Sequence, residues 1–369
     1  MRKKIVLLLV LVTVFVTLGA AATKEMATLD TGATTIVDIR GREVAVPNKI
    51  NSIIALDAGS LRMISYFDAI DKIIAVEDSG HGGEKTFNQF FPLATYRLAH
   101  PHLRTLPDIG SKENIEGIIA ANPDIIFSTT VDVNQLNQMQ ASFGIPVFAI
   151  NADVELNDLK LTYDQLELVG KVLKEESRSK QLIEGIQFFL DDLEKRTKDI
   201  KETKRAYAGG MMYYGPADLL RTTGDYDSFD LVNVTNVMPP NPTGNKQPYL
   251  TSIEDLIKEN PEFVFIDLAN ENLSLAGYKE HKSLLDNEVS AFKNRNVYTT
   301  LVYKYYGTNW ESPIINAYFV GKIVYPNNFA DIKLEDVATD VWHLFFQKEL
   351  DYNEIVELQG SALKQAQWF

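Results

Sequence analysis

The chain of 369 residues contains no cysteine. Disulfides, thiolate metal sites and cysteine nucleophiles are therefore excluded, and the fold must rest on its core. Histidine is scarce as well: there are five, and only His281 and His343 lie outside the stretch from His81 to His102. A bare divalent-metal site built from both halves of the chain is thereby disfavoured, since such a site needs several imidazoles converging with a carboxylate. Positive charge is outnumbered, with 36 Lys and Arg against 50 Asp and Glu and a net charge of −14. Nothing in that balance would neutralise phosphates, so nucleic acid is not a partner. No GxSxG elbow, HExxH helix or Walker-type glycine loop occurs. A secreted hydrolase then rests only on the frequent Asp and Glu pairs, which permit a carboxylate dyad. The chain reads as a non-enzyme without a cofactor. After its first residues it has no apolar run long enough to cross a bilayer.

Those first residues carry a clear pattern. Met1, Arg2, Lys3 and Lys4 form a basic start, residues 5–18 are almost unbroken apolar, and Gly19, Ala20, Ala21 and Ala22 are small. This is a secretory signal peptide over residues 1–22, cut after Ala22; the alternative is an uncleaved N-terminal anchor that tethers the protein. No cysteine lies near the cut, which excludes a lipoprotein anchor. Residues 23–34 are small and polar and read as a flexible leader. Removing 22 of 369 residues leaves 347, enough for two domains.

Residues 35–47 (TIVDIRGREVAVP) read as a β-hairpin, and short apolar strands alternate with helical stretches from residue 50 onward. That alternation predicts βαβ units with a parallel sheet. A repeat then divides the chain. Residues 115–127 read IEGIIAANPDIIF and residues 253–265 read IEDLIKENPEFVF, an offset of 138. In each, Ile-Glu opens a helix of about seven residues, Asn-Pro stops it, and an apolar strand follows. Ser111 and Asn114, and then Thr251 and Ser252, offer caps. The offset is domain-sized, so the pattern predicts two similar α/β lobes. Between the copies, residues 157–204 keep helical spacing almost throughout and predict one long helix, or two nearly collinear ones. The expected organisation is a lobe over 35–156, a spacer helix over 157–204 and a second lobe with C-terminal helices over 205–369.

The order of these pieces (signal peptide, the DIRGREVAVP hairpin, LPDIGSKENIEGIIAANPDIIF at 106–127, the long helix, the second copy at 251–266) resembles the periplasmic substrate-binding proteins of the helical-backbone class. That class serves ABC importers of ferric siderophores, haem, cobalamin and some metal ions, and the resemblance covers roughly residues 35–350. It implies an α/β fold of two Rossmann-like lobes joined by one long helix, with the ligand cleft between them. It implies an extracytoplasmic, monomeric protein that hands an iron(III) chelate to a permease. It also implies a role for Glu116 and Glu254, at equivalent places in the two repeats: docking on permease arginines, where a first-turn carboxylate is otherwise ordinary helix chemistry. An oxyanion or sugar binder is disfavoured on the ground that a helical spacer resists wide hinge closure.

The cleft should be lined by loops at the carboxyl ends of the strands. In the first lobe these loops offer Tyr96, Arg97 and Arg104, and, for a metal, the weaker set His81, His100 and His102. In the second they offer Tyr213, Tyr214 and Arg221, then Tyr303, Tyr305, Tyr306 and Trp310 with Lys304 and Asn309 nearby. Aromatics at this density suit a catecholate, haem or corrin ring, and the cations would neutralise an anionic chelate. Each Tyr has an equally ordinary reading as a strand residue packed on the core.

Overall fold

The computed structural model describes residues 32–77, 93–151, 156, 158–212, 218–244, 247–305, 307–360 and 362–369. The chain enters through a hairpin, β1 (Ala33–Val37) against β2 (Glu43–Pro47). Its turn explains the DIRGR motif. Asp38 Oδ1 accepts the Arg40 and Arg42 amides at 2.9 and 3.0 Å, while Gly41 takes a left-handed φ of +78°. The buried Arg42 guanidinium pairs with Asp38 at 2.9 Å and donates to the Val147 carbonyl at 3.0 Å. The motif therefore rivets the hairpin to the first lobe.

That lobe is a four-stranded parallel sheet in the order β4-β3-β5-β6: β3 (Ile53–Leu56), β4 (Ile73–Val76), β5 (Ile125–Ser128) and β6 (Val147–Ala149). Its helices are α1 (Asp57–Ser65), the short α2 (Thr95–Ala99), α3 (Ile115–Ala121) and α4 (Val133–Phe143). The two apolar-run strands at its centre, β3 and β5, are buried at every position, as expected of a sheet covered on both faces.

The segment at 157–204 departs from the expected single or collinear helix. It forms α5 (Leu159–Leu173) and α6 (Glu176–Thr197), folded back on each other. Tyr163 Oη donates to Gln187 at 2.9 Å and Ser179 Oγ to the Leu166 carbonyl at 2.8 Å, a pairing that is antiparallel. Lys174 makes the reversal at φ +61°, and the Glu175 amide closes it on the Gly170 carbonyl at 2.7 Å. Gly170 permits the close crossing, because a Cβ there would lie 1.8 Å from Ser179 Oγ. Both helices are amphipathic, so the apolar period survives the turn and hides it from sequence. The 22 residues of α6 alone, about 33 Å at 1.5 Å per residue, carry the chain to the second lobe.

The second lobe is a seven-stranded mixed sheet. Its main path runs β10-β8-β7-β11-β12-β13, with β9 beside β7. The strands are β7 (Arg205–Gly209), β8 (Arg221–Thr222), β9 (Thr235–Asn236), β10 (Tyr249–Leu250), β11 (Phe263–Asp267), β12 (Val297–Thr300) and β13 (Lys364–Gln365). The helices are α7 (Asp227–Asp230), α8 (Ile253–Glu259), α9 (Glu271–Glu280), α10 (Lys282–Glu288), α11 (Ser290–Lys293), α12 (Glu311–Val324), α13 (Leu334–Phe346) and α14 (Tyr352–Leu358). The repeat is real in three dimensions. Helices α3 and α8 each span seven residues, capped by Asn114 on the Gly117 amide and by Ser252 on the Asp255 amide. Each ends on an asparagine in the left-handed region, Asn122 at φ +52° and Asn260 at φ +43°, before a proline and a central strand.

One hydrophobic cluster runs through both lobes, from Ile53 and Phe127 through Tyr66 and Leu190 to Phe265, Trp310 and Phe345. Arg178 of α6 sits at its polar junction, 5 % exposed. Its Nε donates to the Tyr66 carbonyl at 2.9 Å, and its Nη2 donates to the carbonyls of Leu344 and Phe345 at 2.5 and 3.1 Å. One guanidinium thus completes the carboxyl ends of α1 and α13, helices from different lobes. Arg178→Met should strand those carbonyls and lower stability by about 2–4 kcal/mol. Urea unfolding followed by circular dichroism would measure this, and an unchanged midpoint would mean that the carbonyls are satisfied by other means.

Candidate functional site

The loops at the carboxyl ends of the parallel strands meet where the lobes touch. From the first lobe come α1 and α2, and from the second the loop between β12 and α12. Arg97, in α2, is 8 % exposed. Its guanidinium lies 5.6 Å from the Tyr96 ring centre and 5.3 Å from that of Tyr305, with Nε donating to Tyr96 Oη at 3.0 Å. Burial works against the Arg97 charge, but the two phenols outweigh it, so its affinity for the proton rises. Arg62 of α1 also lies 5.6 Å from the Tyr96 ring centre and donates to the Tyr305 carbonyl. Two buried guanidiniums of one lobe therefore close on a tyrosine loop of the other. Such a cluster offers an anion directional N–H donors in a poorly solvated place.

Beside it lies a second buried contact. Tyr66 Oη donates to Glu311 at 2.8 Å and accepts the Trp310 amide at 3.2 Å. Burial pushes both acids up: Glu311 above the usual carboxylate range, and the Tyr66 phenol well above its ordinary value, the latter helped by the neighbouring Glu311. Asn309 Nδ2 joins the lobes by donating to the carbonyls of Val302 at 2.9 Å and Leu93 at 3.2 Å. Several buried oxygens along this seam (Ser60 Oγ, Thr308 Oγ1, Asn309 Oδ1 and Ser312 Oγ) have no hydrogen-bond partner among the described residues. A hidden polar atom of this kind costs about 1–3 kcal/mol when it is left without a partner.

The residues singled out in the sequence fall into four groups. Tyr96, Arg97 and Tyr305 come together, all three buried, at the contact between the lobes. Trp310 joins them, but as packing: its ring lies 5.9 Å from that of Tyr66 and it is 2 % exposed. Tyr303 faces its own lobe, its ring 5.1 Å from Tyr226 with Lys304 Nζ over it at 5.3 Å, so it follows the ordinary core reading. Arg221 stands on β8, paired with β10, and Arg104 is exposed on the 3-10 turn Pro101–Thr105. His81, Tyr213, Tyr214 and Tyr306 lie outside the described residues.

The two described members of the histidine set do not lie on a strand. His100 ends α2, buried, and His102 lies on the turn, their ring centres 6.0 Å apart and edge to face. Burial, then Lys348 and His102, pull His100 down to about 4, so it is neutral at neutral pH. Among the described residues no group of three His, Asp or Glu is placed to hold a metal ion.

Arg62 was missed in the sequence because it sits inside an apolar helical run, between Leu61 and Met63, where a surface cation is the simplest reading. The entry to α1 is also informative. Asp57 takes φ +67°, and its carboxylate accepts the Ser60 amide at 2.9 Å and the Thr129 hydroxyl at 2.6 Å. The positive end of α1 is thus already met by its own acid. Glu116 and Glu254 are exposed in the first turns of α3 and α8, each helix leading into a central strand of its lobe.

Two α/β lobes with parallel strands at their centres, one connecting helix and a seam of strand-end loops define a solute-binding protein of the helical-backbone class. The family profile described as periplasmic binding protein matches residues 96–301, more than half of the chain, and the chain belongs to that family. Its sequence is 22 % identical over 343 residues to the molybdate-binding protein MolA of Haemophilus influenzae, covering 85 % of this chain and 90 % of that one. The solved structure of MolA bound to molybdate superposes with a TM-score of 0.66 at 20 % identity, over 86 % of this chain and 99 % of its own. The structure of Helicobacter pylori CeuE with Ni(II) bound gives 0.62 at 16 % identity, over 88 % and 99 %. A periplasmic solute-binding protein of Veillonella parvula gives 0.68 at 15 % identity, over 89 % and 98 %. A molybdate binder on this fold removes the ground on which oxyanions were disfavoured: the helical connection does not exclude them.

Proposed function

We propose that the protein is the extracytoplasmic solute-binding component of an ABC importer and that its cargo is an anionic metal species, with an iron(III) chelate of the siderophore type as the first reading. The observation that carries the anionic reading is the pair of buried guanidiniums, Arg62 and Arg97, closing on Tyr96 and Tyr305 across the lobes. Cations on aromatic faces suit a large, flat, negatively charged ligand, with charge met by the guanidinium forks and area by the rings. In this reading the protein is exported by the signal peptide at residues 1–22, works as a monomer, and docks through Glu116 and Glu254 on basic residues of the permease.

A second reading is favoured by one observation, the resemblance to a molybdate-binding protein along most of both chains. A compact oxyanion would use the same guanidiniums together with the buried hydroxyls of Ser60, Thr308 and Ser312. Trp310 lies in the seam loop, so intrinsic fluorescence reports directly. Titration with ferric catecholate and hydroxamate chelates, ferric citrate, haem, cobalamin, molybdate, tungstate and free divalent ions separates the readings. A micromolar or tighter response to a ferric chelate alone supports the first, and one to molybdate or tungstate alone supports the second. Response to free divalent ions only would defeat both.

A further inference from the structure

The three strand-end loops at the centre of the second lobe are fastened around one acid. Asp267 is the last residue of β11, the middle strand, and is fully buried. Its Oδ2 accepts the Tyr303 amide at 2.8 Å, which fixes the loop after β12. Its Oδ1 accepts the Ala269 amide at 2.9 Å, which fixes the loop after β11. Asn270, in that same loop, donates to the Gly210 carbonyl at 3.0 Å and so reaches the segment after β7. Gly210 there is left-handed at φ +70°, and a Cβ would lie 2.8 Å from Ser274 Oγ, so the approach is close. The loop held by Oδ2 is the one that gives Arg62 a carbonyl and Arg97 a ring, both from Tyr305.

We propose that Asp267 is a positioning residue for solute capture: its carboxylate holds residues 302–305 against the first lobe, and protonation releases that hold. The geometry is reinforced by titration. Burial lifts the carboxyl to about 7, against the downward pull of the Tyr303 and Ala269 amides. The groups packed around it are Tyr226 at the start of α7, whose phenol burial pushes further up, Tyr303 with Lys304 over its ring, Thr300 of β12 and Ser274 of α9. An ionised carboxylate accepts both amides strongly, whereas the acid form keeps one good acceptor oxygen. The grip on the loop therefore weakens as pH falls through about 7. The effect on global stability has the opposite sign. The folded-state value lies above the ordinary 3.8, so the stability this group lends is complete in acid and is lost as pH rises from 3.8 to about 7.

That opposition separates a positioning role from a merely structural one. Amide hydrogen exchange of the full chain, corrected for intrinsic rates, should show protection at residues 302–305 and 268–270 falling about tenfold between pH 8 and pH 6, while the melting temperature holds or rises. Asp267→Asn, the isosteric stand-in for the acid form, should show the reduced, low-pH protection there at both pH values. Protection that does not change with pH in the natural chain, or that keeps its high-pH level in Asp267→Asn, would overturn the proposal. The natural chain's own profile decides the matter if the variant does not fold. The link to capture rests on the anion-site reading and is tested with whichever panel solute binds. Its affinity should follow the same pH curve in the natural chain and be weak and flat in Asp267→Asn. A flat affinity profile over a loosened loop would defeat the link, whereas absence of binding to every panel solute, with the loop behaving as described, counts against the cargo reading alone.

Discussion

Arg97→Met should weaken solute capture by about a hundredfold or more, close to 3 kcal/mol, while leaving the fold intact. The methionine keeps an unbranched apolar body between Tyr96 and Tyr305, the two rings that enclose the natural side chain, and removes only the charge and its fork of donors. Arg97→Lys restores charge without the planar fork, so it should recover part of the loss but not all of it. Isothermal titration of the panel solute, beside a thermal melt of each variant, is the measurement. If Arg97→Met binds as the natural protein does, the guanidinium is a packing element of the seam, and the cargo is not held by it. A loss of affinity accompanied by a large drop in melting temperature would assign Arg97 to the lobe contact in the first place.

The double variant Glu116→Ala with Glu254→Ala should bind solute normally yet lose uptake, by at least about tenfold in a reconstituted transporter. Both residues are exposed, and neither accepts a cap bond in its own helix: Asn114 and Ser252 do that work. Removing them should change stability by no more than about 0.5 kcal/mol. Their partners in a docked complex would be cations, so coupling in the natural protein should fall with ionic strength and the variant should be less sensitive to salt. Single variants should each lose less than the pair, because the two lobes would dock independently. A fall in solute affinity would place these carboxylates in the cleft instead. Uptake that stays normal would leave them as first-turn acids of no special duty.

What could be read from the residues alone divides along physical lines. The repeat was legible because helix stop, left-handed asparagine, proline and buried strand are all local devices, each written in adjacent residues. The hairpin at residues 33–47 was legible for the same reason. The reversal at Lys174 was not, because two amphipathic helices with their apolar faces together keep one unbroken period, and the turn uses a lysine in place of the usual glycine. At the lobe contact, Tyr96, Arg97 and Tyr305 were named from the sequence because they fall in the stretches that follow strands, although Tyr96 and Arg97 are helical in the fold. Arg62 and Asp267 escaped notice because their roles depend on partners 243 and 36 residues away. Tyr303 and Tyr305, two residues apart, illustrate the limit: one faces its own lobe and the other the seam, and no spacing rule distinguishes them.

The Arg178 junction also dictates when the molecule can be finished. The three segments that meet there are separated by 112 and 167 residues along the chain. Loops of that length close late, since their entropy must be spent before the contacts form. The connecting helix can be drawn up early from neighbouring residues, but its guanidinium has nothing to cap at α13 until residue 345 is free to arrive. A chain truncated before α13 would leave Arg178 Nη2 without its two carbonyl partners. Completion of the last helices should therefore be the closing step of assembly.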